Sequence, residues 1–154
     1  MDATVTKLRV LPGCRESKLL TVLAAYEDAS TASRGVEFCQ NLSRYLGSEC
    51  RITQQVWLFN EFRVSKLAEI AADEAAKADV IVISAHHANT VPEELKRWME
   101  LWLPVREKAS ALMIALMDPI GRGTPTGVET YLQEAAQRTE MELVLELDEA
   151  RVDR

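Results

Sequence analysis

Residues 80–102 read VIVISAHHANTVPEELKRWMELW. Val80 to Ser84 (VIVIS) are nearly continuous in apolar residues, the pattern of a strand whose two faces are both covered. After Pro92, the residues Leu95, Trp98, Met99 and Trp102 recur at helical spacing. Glu93 and Glu94 fall in the first turn, where carboxylates suit the helix dipole. A strand, a loop and an amphipathic helix in that order open a βαβ unit, and such units build parallel sheets.

The same alternation extends in both directions. Leu19 to Tyr26 (LLTVLAAY) and Ala111 to Met117 (ALMIALM) are also apolar runs. Arg51 to Phe59 (RITQQVWLF) is interrupted by Thr53, Gln54 and Gln55, and Glu142 to Leu147 (ELVLEL) puts Leu143, Leu145 and Leu147 on one face. Such partial polarity belongs at the margins of a sheet. Three further helical stripes lie between the strands. Val36, Cys39, Leu42 and Leu46 form the first, ending near Gly47; Val64, Leu67, Ala68, Ala71, Ala75 and Ala78 form the second; Val128, Tyr131, Leu132 and Ala135 form the last, with Thr124 or Thr126 as its cap.

The expected fold is therefore α/β: a three-layer α/β/α, doubly wound parallel sheet. Central strands one, three and four with marginal strands two and five give the order 2-1-3-4-5, whose switch point lies between strands one and three. Only DEARVDR follows Leu147, so the fifth helix usual in this order is expected to be missing and one face under-covered near strands one and five. The N-terminal segment or a second subunit, making a homodimer, would shield it. The chain reads as a single domain over residues 1–154, with 1–17 as an N-terminal extension in which Thr4 to Leu11 could add an edge strand.

Composition narrows the function. The 154 residues are 47% apolar and 27% charged, enough for a full core and too apolar for disorder. A net charge of −6 argues against nucleic acid as a partner, because phosphate binding needs a basic face. No run approaches the roughly 18 apolar residues of a membrane span. Met1 to Ser17 lacks an apolar export signal, and Cys14, Cys39 and Cys50 lack metal-ligand spacing. Reduced thiols in a cytoplasmic protein are expected, with Cys39 on an apolar stripe as a buried thiol. Gly-x-Ser-x-Gly, a Walker loop and an intact dinucleotide fingerprint are all absent from the sequence.

Ligands of open parallel sheets bind at the carboxyl ends of the strands. The loop after strand one reads EDASTASRG. Ser30, Thr31 and Ser33, with the N–H groups opening the helix, could hold a phosphate, and Arg34 could add charge. Alternatively, Ser30 or Thr31 caps the helix, and Glu27 and Asp28 oppose an anion. After strand three come His86 and His87, the chain's two histidines, which strand alternation points to opposite faces. Glu27, Asp28 and Asp118 flank them. A divalent cation between Asp28, Asp118 and a histidine is geometrically accessible, but carboxylates at strand ends commonly serve as caps, and no metal site is assigned.

The loop after strand three resembles that of the NADPH-dependent FMN reductases, within the flavodoxin-like superfamily. Val91, Pro92, Leu95 and Lys96 match the family framework, and Thr90 stands where the family has Ser. Met99 to Trp102 is similar to its closing acid-Trp pattern with one residue inserted. Gly121-Arg-Gly-Thr124 is a fainter likeness to its glycine-rich loop. Ala85, His87 and Ala88 depart from the family's proline, aromatic and asparagine. The resemblance implies an FMN-binding, NAD(P)H-dependent oxidoreductase or electron carrier in which no side chain need act as catalytic acid or base. By the same resemblance, Ser30, Thr31, Ser33 and Arg34 would hold the FMN phosphate, and His86, His87, Ala88 and Asn89 would border the isoalloxazine. The acidic pair Glu27-Asp28 also resembles that of phosphoreceiver domains. Those need an Asp at the end of strand three, where this chain has Ser84 and Ala85, and a Lys where Asp148 and Glu149 stand. A working receiver is excluded; a cofactor-free pseudo-receiver, acting as an interaction module, is the alternative.

Overall fold

The computed structural model describes residues 19–47, 51–86, 89–106, 111–118 and 127–147. The apolar runs form β1 (Leu19–Tyr26), β2 (Arg51–Leu58), β3 (Val80–Ala85), β4 (Leu112–Met117) and β5 (Glu142–Leu147). They pair in parallel in the order β2-β1-β3-β4-β5. Every residue of β3 and β4 is buried, whereas β2 leaves Arg51, Gln54 and Val56 exposed. Continuity of apolar residues thus tracks centrality in the sheet, as a two-faced strand requires. The layout is the flavodoxin-like α/β arrangement.

Helices α1 (Ala29–Leu46), α2 (Ser65–Lys77), α3 (Glu93–Trp102) and α4 (Gly127–Thr139) connect the strands. Helices α2, α3 and α4 pack on the face formed by Leu23, Ala25, Ile81, Ile83, Met113 and Ala115. Helix α1 packs with Leu20, Val22, Ala24, Tyr26, Val80 and Val82 on the other. Among the described residues no helix follows β5. On this second face Leu112, Ile114, Leu116 and Val144 are buried, each at 8% exposure or less. Residues 1–18, including the expected edge strand, lie outside the described residues, as do 148–154.

Under α2 and α3 the core is aromatic. Phe62 stacks on Trp98 with centroids 4.6 Å apart and planes 9° from parallel, and Trp98 meets Trp102 at 5.5 Å. Both tryptophans are fully buried, so they are core residues. Arg106 donates to the carbonyls of Ala75 and Ala78 at the end of α2, the first of which also accepts the Ala78 N–H. Helices α3 and α4 are tied by Glu100, which accepts two bonds from Arg138, each 2.9 Å, and one from Tyr131 at 2.7 Å. Arg138 first and Tyr131 second hold the Glu100 carboxyl down to about 2. A depressed carboxylate contributes stability above its ordinary value of 4.5 and loses it as pH falls toward 2. The pair is half-exposed, so Glu100→Gln is expected to remove at most about 1 kcal/mol at neutral pH. Urea midpoints at pH 7 and pH 3 check it; an undiminished difference at pH 3 would deny the network its charge.

Two helical stripes differ from their sequence reading. The buried line of α1 is Thr31, Gly35, Cys39 and Leu42, and Val36 is 42% exposed. The small residue must face the sheet, because the buried ring of Tyr26 fills that space. Val64 precedes α2 in extended backbone and is 52% exposed, and Ala78 follows the helix as its C-cap. Gly47 ends α1 as expected, at a φ of 70° that favours glycine. Burial pushes the Cys39 thiol up to about 11, which suits an inert core cysteine.

Candidate functional site

Register and side-chain alternation create the site. Tyr26, Ser84 and Leu116 are partners across β1, β3 and β4, and all three belong to the α1 face. Side chains return to the same face every second residue. Two residues beyond that row stand Asp28, His86 and Asp118, aligned where the strands emerge at their carboxyl ends. Adjacent strands lie about 4.8 Å apart, so a ring the size of imidazole spans the gap on each side. His86 Nδ1 lies 2.8 Å from Asp118 Oδ2, and His86 Nε2 lies 2.9 Å from Asp28 Oδ2.

A carboxylate oxygen can only accept, so both ring nitrogens donate only in the imidazolium form. The bond to Asp118 is the main reason that His86 is raised above its ordinary 6.5; burial opposes this, and Asp28 reinforces it. Asp28 is held below the usual carboxylate range chiefly by the Thr31 backbone N–H, with His86 adding to it. Burial would raise Asp118, but the bonds from Arg34 and His86 outweigh it and hold it low.

Helix α1 contributes the remaining groups. Asp28 is its N-cap: Oδ1 accepts from the Thr31 N–H at 3.0 Å, while the Asp28 N–H donates to Thr31 Oγ1 at 2.9 Å. This reciprocal capping box satisfies donors that a helix start leaves open. With the helix beginning at Ala29, Arg34 comes one turn after Thr31 and points at the strand ends. Its guanidinium donates to Asp118 Oδ1 at 2.8 Å, Ser84 Oγ at 3.2 Å, and the carbonyls of Ala85 and Leu116 at 3.0 and 3.2 Å. Ser84 Oγ in turn donates to the Thr31 carbonyl at 2.9 Å. On the other side, the His86 N–H donates to Glu27 Oε1 at 2.9 Å. Arg34 is thereby a planar tie between β3, β4 and α1.

The residues expected from sequence separate into three groups. Thr31, Arg34 and His86 meet in this network. Ser30 and Ser33 are exposed on the first turns of α1, and Asn89 is exposed beyond β3. His87, Ala88 and the Gly121–Thr124 loop lie outside the described residues. The helix cap is Asp28 rather than Ser30 or Thr31, because its extended backbone and carboxylate fit the position and Thr31 completes the box. Sequence reading assigned no site role to Ser84; its polarity at the end of an otherwise apolar strand is the signal. Among the described residues, no three His, Cys, Asp or Glu side chains form a group fit to hold a metal ion. No protein-family model and no curated protein matches this chain.

Proposed function

We propose that this chain is a flavodoxin-like binding module that works without a flavin and takes a polar or cationic ligand at the carboxyl edge of its sheet. The observation supporting it is the engagement of Arg34: at least four of its hydrogen bonds go to the protein's own acceptors. Around it, the N-terminus of α1 is capped by a carboxylate, which repels a phosphate where a flavin phosphate would need an N–H and a positive charge. What the edge presents to a partner is the half-exposed carboxylate of Asp28, the hydroxyls of Ser30, Ser33 and Thr90, and the amide of Asn89. These are groups that recognise an ammonium, a guanidinium or a neutral hydrogen-bonding surface.

The FMN reading keeps one specific observation in its favour. The outgoing turns of β1 and β3 are side by side, with the Glu27 N–H donating to the Ser84 carbonyl at 3.0 Å, and this switch-point cleft is where such folds take their ligands. FMN would then be held by Ser30, Ser33 and Asn89, and would carry the redox chemistry itself.

A single measurement separates the two. On the binding-module reading, added FMN leaves the melting temperature unchanged and the repurified protein is colourless. A flavin bound at a hundredfold excess over its Kd would contribute about 2.7 kcal/mol, or roughly 5–10 °C for a chain of this size. A rise of that order, with flavin absorbance co-eluting, would overturn the module reading in favour of FMN.

A further inference from the structure

The same edge holds a titratable group in an unusual setting: an imidazole whose two nitrogens each face a carboxylate on a different strand end. The two carboxylates are not equivalent. Asp118 is fixed through its other oxygen by Arg34 and is 33% exposed, whereas Asp28 is 49% exposed and has water at hand. Among the described residues, the charged groups bonded to His86 are Glu27 and Asp28 from the β1–α1 turn and Asp118 from the end of β4, and Arg34 from α1 reaches the cluster by its bond to Asp118.

We propose that His86 is a proton-operated latch on the carboxyl edge. As imidazolium it ties Asp28, the cap of α1, to Asp118 at the end of β4; as neutral imidazole it keeps Asp118 and releases Asp28. A neutral ring carries one N–H, and the nitrogen left with a lone pair would confront a carboxylate oxygen less than 3 Å away, which is repulsive. The N–H stays on Nδ1 because Arg34 holds Asp118 in place to accept it. Nε2 is left facing Asp28, whose Oδ2 turns to solvent while Oδ1 remains with the Thr31 N–H. Release also changes the charge of the edge. Three carboxylates facing two cations become three carboxylates facing one, so the open form attracts a cationic ligand more strongly. This goes beyond the binding reading above and stands whether or not a flavin binds.

The pH direction follows from the raised histidine. The stabilisation is complete below 6.5 and is lost as pH rises through the higher folded-state value. The experiment is an NMR titration of the full chain carrying His87→Gln, so that a single histidine is observed. The His86 ring is expected to titrate with a midpoint above 6.5 and to become the Nδ1–H tautomer. The backbone amides of Asp28 and Thr31 should shift with the same midpoint. Asp28→Asn keeps a cap oxygen for Thr31 but removes a charge, and should lower the midpoint while leaving the tautomer unchanged. A midpoint at or below 6.5, an Nε2–H tautomer, or amides at Asp28 and Thr31 that ignore the titration would each overturn the latch. None of these outcomes depends on FMN, so they are separable from the test of function.

Discussion

Replacing Gly35 with alanine is expected to destabilise the protein by about 2 kcal/mol, although alanine is the better helix former. An added Cβ at this position would lie 2.2 Å from Tyr26 Cε1, 2.5 Å from Cζ and 2.8 Å from the hydroxyl oxygen. Separations this short cannot persist, so either α1 lifts from β1 or the tyrosine ring moves. The ring is fully buried, so its retreat would have to displace other core side chains. Overpacking of this kind costs about 3 kcal/mol, and the gain in helix propensity returns about 1. Thermal unfolding should therefore fall by roughly 4–8 °C. Pairing the change with Tyr26→Val isolates the contact, because removing the ring removes the clash. The double variant should lose less than the sum of the two single losses. A single Gly35→Ala variant that melts at or above the wild-type temperature would show that α1 does not sit on Tyr26 as described.

That contact also marks where sequence reading runs out. Strand order is legible because it depends on composition: β3 and β4 are apolar throughout and central, while Thr53, Gln54 and Gln55 consign β2 to an edge. Helix rotation is not legible in the same way. An apolar stripe through Val36 scores better than one through Gly35, yet the glycine faces inward, since what decides is the volume left by Tyr26 on another element. The candidate site is half legible for a related reason. Alternation places Asp28, His86 and Asp118 near the ends of three adjacent strands, but only the register Tyr26–Ser84–Leu116 puts them in one row. Arg34 is harder still. Its role depends on where α1 begins, and a start shifted from Asp28 to Ser30 or Thr31 turns the guanidinium away from the strand ends, toward an imagined phosphate.

Replacing Arg34 with methionine, which keeps much of the aliphatic stem but no charge, is the substitution with the largest expected effect. It takes this donor from Asp118 Oδ1 and leaves the carbonyls of Ala85 and Leu116 without these donors. Breaking a buried ion pair from one side costs about 3–5 kcal/mol. Asp118 is one-third exposed and can recover some hydration, which places the expectation near the lower figure, about 3 kcal/mol by urea unfolding. Lysine should recover less than half of this loss. Its ammonium is a point donor and cannot serve two carbonyls, a hydroxyl and a carboxylate in one plane. The variant also carries a signature that simple destabilisation would not produce. With the guanidinium gone, Asp118 loses a positive charge that it shared with His86, so the His86 midpoint should rise even as global stability falls. A methionine variant within about 1 kcal/mol of wild type, with an unmoved His86 titration, would mean that the guanidinium is only loosely held. It would then be free to meet an anion, and the case for a flavin phosphate at this edge would regain its strongest donor.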